Sequence, residues 1–291
     1  MILKATAKIN LALDVVRRRE DGYHEVRMVM QMTGMYDRLA LTPLPGEPGI
    51  RLTTNLPFVP ADRRNLVWKA ADLLLTEFGV TDGVQIELEK FIPVAAGLAG
   101  GSSDAAMTML GINRLFHLGL SREELMTRGV QIGADVPYCI LQGTALAEGI
   151  GEVLTPLPAM PACRILLCKV PVSVSTKRVY EAIDAVPLET HPDIDGMCEA
   201  IREGDLKGIA GRMSNVMEAV TVRDFPVIGT ICEEMKARGA LNAVMSGSGP
   251  TVFGLFDDEK KAMAARDVLR KAYPSARTFL TEPVQQAWRD R

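Results

Sequence analysis

The stretch Pro93-Val-Ala-Ala-Gly-Leu-Ala-Gly-Gly-Ser-Ser-Asp-Ala-Ala106 constrains this chain more than any other. Just before it, Val84-Gln-Ile-Glu-Leu-Glu89 alternates apolar and polar residues, as a half-buried strand does. After it, Ala105, Ala106, Met109, Leu110 and Asn113 to Phe116 read as a helix with one apolar side. Between the two lie Gly97, Gly100 and Gly101, then Ser102, Ser103 and Asp104, residue types that favour helix N-caps. The order is strand, glycine-rich loop, helix start. Glycines let backbone approach an anion closely, and the unpaired N–H groups of a first helical turn supply donors and partial positive charge. The stretch is therefore built as a phosphate cradle. No Lys follows the glycines, which excludes the P-loop, and their spacing excludes G-x-G-x-x-G. Local physics leaves one other reading open: a tight loop whose glycines serve turn geometry alone.

Composition narrows the partners. With 291 residues the chain can form one large domain or two ordinary ones. Hydrophobic residues at 47% and charged ones at 24% describe a globular protein rather than a disordered one. A net charge of -3 gives no general attraction to nucleic acid or to an anionic membrane, so neither is expected as a partner. Any grip on a phosphorylated ligand must be local. No apolar run approaches a membrane span, and the N-terminus lacks a signal-peptide core, so a cytoplasmic location is expected. The five cysteines (139, 163, 168, 198 and 232) are odd in number and contain no C-x-x-C pair, which suggests reduced thiols and no zinc site. The histidines at 24, 117 and 191 are too few and too dispersed for a metal centre.

Along the chain, residues 4 to 17 and 24 to 32 read as strands joined at Asp21-Gly22, a strong hairpin-turn signal. A further strand is expected over 37–42 and a loop over 43–49. Asn65 can cap a helix through Leu66 to Phe78 that Gly79 stops. Ser121-Arg-Glu-Glu124 is a capping box opening a helix that ends near Gly129. In Gly133-Ala-Asp-Val-Pro137, Asp135 occupies a short polar break, and Pro137 favours extended backbone before it. Residues 144 to 157 suggest a strand pair turning at Gly149-Ile-Gly151.

Pro156, Pro158 and Pro161 mark the expected domain boundary, giving segments 1–158 and 159–291. The second segment reads strand (164–170), helix (176–185), a loop near 187–195, and two helices over 196–220 broken at Gly204. A helix from N-cap Asp224 to Gly239 follows. Ala243 to Phe256 then form two strands joined by a glycine turn, and a helix over 258–273 leads to a last strand over 276–282. The class is mixed α and β.

Three separated segments, Ala7-Lys-Ile-Asn-Leu11, Pro93 to Ala106 and Ser246-Gly-Ser-Gly-Pro-Thr251, together resemble the motifs of the GHMP superfamily of small-molecule kinases, in the expected order. The resemblance spans essentially the whole chain and favours the phosphate-cradle reading. Arg19-Glu-Asp-Gly-Tyr-His-Glu25, Gly133 to Pro137 and Ala147-Glu-Gly-Ile-Gly-Glu152 are similar to one branch. Its members use ATP to phosphorylate the 2-hydroxyl of CDP-linked methylerythritol in the non-mevalonate isoprenoid pathway. The pattern departs at Ala95-Ala96, where relatives carry another glycine.

The resemblance implies an α+β, two-domain fold, with a ribosomal-protein-S5-like N-terminal domain, a ferredoxin-like C-terminal domain and the active site in the cleft between. It implies ATP with Mg2+, and a monomer or weak homodimer. Lys8 and Asp135 match the catalytic Lys and Asp. Pro93, Val94, Ala95, Ala96, Gly97, Leu98, Ala99, Gly100, Gly101, Ser102 and Ser103 match the loop that takes the ATP phosphates, with Asn65 and Leu66 beside the adenine. Tyr23 and His24 match a cytidine-binding pair, Tyr180 an aromatic that stacks on the other face of the base, and Asn10 a contact to the methylerythritol. Gly247, Ser248 and Gly249 are expected to close over the site. The metal ligands are unassigned, Ser103 being the first candidate. The chemistry agrees with these roles: phosphoryl transfer needs positioning and charge stabilisation, the alcohol's proton needs an acceptor, and an ammonium keeps such a carboxylate ionised. Two rivals stand beside this reading: another superfamily kinase acting on a different alcohol such as homoserine, and a non-catalytic sensor of nucleotide or sugar-like ligands.

Overall fold

The structure, a computed structural model, describes residues 1–186, 188 and 190–284. Its elements run β1 (Ile2–Arg18), β2 (His24–Leu44), β3 (Ile50–Thr54), α1 (Leu66–Glu77), β4 (Gly83–Glu89), α2 (Gly100–Leu115), α3 (Arg122–Gly129), α4 (Val136–Leu141), β5 (Thr144–Glu148) and β6 (Val153–Leu157). Then come β7 (Arg164–Lys169), α5 (Thr176–Ile183), α6 (Ile194–Glu203), α7 (Leu206–Arg212), β8 (Ser214–Asn215), α8 (Glu218–Asp224), α9 (Val227–Ala237), β9 (Asn242–Met245), β10 (Thr251–Phe256), α10 (Glu259–Ala272) and β11 (Arg277–Thr281). Among the described residues no helix is long and apolar enough to cross a membrane. The five cysteines are free and buried.

Contacts divide the chain into two compact units. The first comprises Met1–Ala7, Met35–Val94 and Ala99–Leu141. The second comprises Lys8–Gly34, Ala95–Leu98 and the chain from Gln142 onward. The long strands β1 and β2 contribute a stretch to each.

In the first unit, β4 pairs antiparallel with the far end of β2 (Leu39↔Leu88, Leu41↔Ile86) and parallel with β3 (Leu52↔Ile86). Leu39, Leu41, Ile86 and Leu88 are all buried, as the period-2 pattern requires. Helix α2 lies against this sheet so closely that a Cβ on Gly111 would come within 2.7 Å of Leu41. Helix α1 starts where Asn65 accepts a hydrogen bond from Val67 N, and α3 starts on the Ser121–Glu124 capping box.

In the second unit, β2 pairs antiparallel with β5 (Val29↔Leu146), β5 with β6, and β1 parallel with β8 (Leu13↔Asn215). A separate sheet has the order β11-β7-β10-β9, antiparallel throughout. Numbered in chain order its strands lie 4-1-3-2, the ferredoxin-like arrangement that the order of elements predicts. Every residue of β10 is buried.

Several expectations need correction. The strand pieces over 24–32 and 37–42 are one continuous strand, β2, because Thr33 to Tyr36 stay extended, and β3 is an additional strand. Helix α2 starts at Gly100, so Ser102, Ser103 and Asp104 lie inside it, and left-handed Ala99 occupies the N-cap. Pro137 is the second residue of α4 rather than the end of an extended stretch; a first helical turn needs no N–H from it. The helical run over 196–220 contains α6, α7, the two-residue strand β8 and the start of α8, because Ser214–Asn215 finds a partner in β1. Asp224 closes α8, and Pro226 takes the N-cap place of α9. In the loop near 187–195, Pro187 and Glu189 lie outside the described residues.

Phe253, on β10 between Leu167 and Val244, is fully buried. Phe253→Ala is expected to lower unfolding free energy by about 3–5 kcal/mol, read from the urea midpoint.

Candidate active site

The glycine loop is held by both its neighbours in the second unit. Lys8 N donates to Leu98 O at 3.1 Å, which ties the loop to β1. Ser246 Oγ donates to Gly97 O at 2.9 Å, which ties it to the turn between β9 and β10. Gly97 has φ +75, and a Cβ there would stand 2.1 Å from Ser246 O, so both the conformation and the close approach require glycine. Ala95, Gly97 and Ala99 have positive φ while their neighbours do not, an alternation that turns successive N–H groups toward one concave side, as anion-binding nests do. Ala95 is thus in a conformation that glycine would adopt without strain, and nothing in the structure explains the alanine there.

Lys8 and Asn10 are two residues apart on β1 and share a face. Both are buried, and Lys8 Nζ donates to Asn10 Oδ1 at 2.6 Å. A Cβ on Gly247 would be 3.4 Å from Gly97 O and 3.6 Å from Asn10 Oδ1. The three separated motifs therefore meet in one place.

The Gly-Ser-Gly turn is clamped by residues the sequence reading missed. Buried Asn215 donates through Nδ2 to Met245 O and Gly247 O, each at 2.8 Å, and accepts from Met217 N through Oδ1. Thr221 Oγ1 donates to Ser248 O, and the hydroxyls of Thr176 and Ser248 lie 2.8 Å apart. Met245 N donates to Glu218 Oε1 at 2.6 Å. Burial pushes the Glu218 carboxyl up to about 7, against the opposing pull of the Met245 N–H and Lys236.

At the turn between β1 and β2, Tyr23 is 61% exposed. His24 stacks on Tyr180, ring centroids 4.8 Å apart, and its Nε2 lies 2.7 Å from Asp184 Oδ1.

In the first unit the start of α2 rests on a buried ionic cluster that the sequence did not reveal. Lys90 Nζ donates to Asp104 Oδ2 at 2.6 Å and to Asp37 Oδ2. Phe91 N and Ile92 N both donate to Asp37 Oδ1, at 2.5 and 2.8 Å. Burial pushes the Asp104 carboxyl upward despite Lys90, and Asp37 adds to the push. Lys90 is held above its ordinary value because the two carboxylates outweigh its own burial. Ser103 Oγ and Asp104 Oδ1 are buried without a hydrogen-bond partner among the described residues. Leu66 lies beside Gly101, where a Cβ would be 3.7 Å from its Cδ1. Asp135 stands at the N-cap position of α4, its carbonyl accepting from Cys139 N. The same segment passes α2, since a Cβ on Gly133 would be 4.0 Å from Ser102 Oγ. Among the described residues no cluster of three or more His, Cys, Asp or Glu could hold a metal ion.

An amide nest with a buried lysine and a second glycine turn against it is an arrangement that suits a phosphorylated ligand. Residues 65–143 match the model described as GHMP kinases N terminal domain, and residues 197–275 the GHMP kinases C terminal model. The 4-diphosphocytidyl-2-C-methyl-D-erythritol kinase of Lachnospira eligens is 55% identical over 96% of this chain and 97% of its own length. That of Lachnoclostridium phytofermentans is 53% identical over 96% of each. A crystal structure of 4-(cytidine 5'-diphospho)-2C-methyl-D-erythritol kinase superposes with TM-score 0.82 at 33% identity, covering 97% of this chain and 99% of the other. The chain belongs to the GHMP kinases and, within them, to the family of 4-diphosphocytidyl-2-C-methyl-D-erythritol kinases. It is an ATP-dependent small-molecule kinase.

Because Glu218 has a folded value near 7 against an ordinary 4.5, the folded state holds its proton more tightly than the unfolded chain. That contribution is complete below pH 4.5 and is lost as pH rises to about 7. Glu218→Gln keeps an acceptor for Met245 N without the charge. Denaturation at pH 5 and pH 8 should show the wild type losing stability relative to this variant at the higher pH.

Proposed function

We propose that this protein transfers the γ-phosphoryl group of ATP to the 2-hydroxyl of 4-diphosphocytidyl-2-C-methyl-D-erythritol, within isoprenoid precursor synthesis. The observation that carries the proposal is the meeting of Lys8 and Asn10, the 97–98 loop and the 246–247 turn, fixed by hydrogen bonds from Lys8 N and Ser246 Oγ. Relatives of near-full-length coverage bearing that kinase name support the substrate.

In this reading the loop from Pro93 to Ser103 takes the triphosphate on its backbone N–H groups and the first turn of α2. Asp135 accepts the proton of the attacking hydroxyl, and the Lys8 ammonium offsets the negative charge that develops on the transferred group. Asn10, held by Lys8, positions the methylerythritol. Asn65 and Leu66 border the adenine. Tyr23 and His24 take the cytosine, with Tyr180 beside them, and Gly247 to Gly249 complete the substrate side. Mg2+ accompanies ATP and neutralises charge on its phosphate oxygens. Ser103 Oγ, a hard oxygen with unused lone pairs, fits such an ion and would hold it. The protein works in the cytoplasm as a monomer or weak homodimer. Its domain boundary along the sequence is placed at 158/159, between the two family-model matches, while by contact Lys8–Gly34, Ala95–Leu98 and the residues from Gln142 belong with the second unit.

A coupled ADP-release assay tests the chemistry. Asp135→Asn should lower kcat by roughly 10²–10⁴-fold while ATP binding persists, and near-normal turnover would remove Asp135 from the role. The same assay tests the base site: Tyr23→Ala and His24→Ala should raise KM for the CDP-substrate far more than for ATP. Methylerythritol phosphate, which lacks the cytidine, should be a poor substrate; equal turnover of both would favour a kinase for a different alcohol.

A further inference from the structure

We propose that Asp184 fixes which nitrogen of His24 carries the proton, and that this makes the base site choose cytosine over uracil. The inference rests on the reading that His24 meets the pyrimidine.

Tyr180 and Asp184 are four residues apart at the C-terminal end of α5, and Asp184 is its C-cap, so the two side chains emerge on one face. Both grip His24. The Tyr180 ring stacks on the imidazole at 4.8 Å with 22° between planes, which sets the plane of the ring. The Asp184 carboxylate sits 2.7 Å from Nε2, which sets its rotation. The other carboxylate oxygen lies 3.7 Å from the Arg18 guanidinium, so Asp184 is itself held.

An ionised carboxylate has only lone pairs to offer, so the hydrogen of this bond must reside on Nε2. In the neutral ring Nδ1 is then a bare acceptor, and no group among the described residues donates to it. Cytosine presents a 4-amino group that can donate to such a nitrogen. Uracil presents a carbonyl at the same place, whose lone pairs would face those of Nδ1. The opposite tautomer would reverse the preference. Asp184 is thus a positioning residue that decides specificity without touching the substrate.

The test uses the full-length protein labelled with 15N-histidine, observed by NMR at pH 8. Three histidines give few signals, and His24→Ala assigns the one in question. The expected spectrum shows His24 protonated on Nε2 alone, and Asp184→Asn, whose amide can donate as well as accept, should mix the tautomers. In steady-state kinetics, Asp184→Asn and Asp184→Ala should lower the kcat/KM preference for the CDP-substrate over its uridine counterpart by roughly tenfold, with KM for ATP unmoved. A merely structural role would affect both pyrimidines equally. A ring protonated on Nδ1, or variants that keep both tautomer and preference, would overturn the inference while leaving the cytidine reading intact. If His24→Ala leaves KM for the CDP-substrate unchanged, both fall.

Discussion

The bond from Lys8 N to Leu98 O is the constraint on which the arrangement of the second unit's three motifs depends. In energy it is an ordinary amide–carbonyl bond, contributing about 1 kcal/mol net. Its importance is geometric. One residue gives its main chain to the phosphate loop and its ammonium to the buried pair with Asn10. Loop and charge therefore move together or not at all. The second tether, from Ser246 to Gly97, acts the same way on the other motif, and the missing Cβ of Gly97 is what lets the two backbones come so near.

Support for this arrangement is polar and buried, which makes it exacting. Asn215 has all three of its bonds to backbone, so the turn it clamps has little freedom to drift. In the first unit, two carboxylates share one ammonium beneath the start of α2. Such clusters contribute little net stability, yet breaking one partner away typically costs about 3–5 kcal/mol because a charge is left alone. The consequence is orientation. Asp104 cannot rotate without abandoning Lys90, and Asp104 is part of the second turn of α2, so the start of that helix is held with it.

Much of this was legible in the sequence wherever the signal is local. The Asn65 cap, the Ser121 capping box, the Asp21-Gly22 turn and the strand-loop-helix order around Gly97 each depend on a few neighbouring residues. The start of α2 was misplaced because Ser-Ser-Asp advertises a cap, whereas the residue in the N-cap place is a left-handed alanine with no such signature. Strand β8 has two residues and exists only because β1 is beside it, so no window of sequence could show it. Asn215, Glu218 and Lys90 escaped for a related reason. Apart from Met217, two residues from Asn215, the partners named for them are 14 to 53 residues away, and Lys90, a charged residue at a strand end, ordinarily reads as surface. The chemistry itself was readable chiefly because three short motifs, each weak alone, occur in a known order.

Two alanines in the left-handed region of the glycine loop bear on what keeps its shape. Holding alanine there costs roughly 1–2 kcal/mol, where glycine would sit at ease. At a positive φ, alanine's smaller freedom in the unfolded chain does not offset that cost. The bends at Ala95 and Ala99 are therefore kept by their surroundings against the preference of the residues themselves.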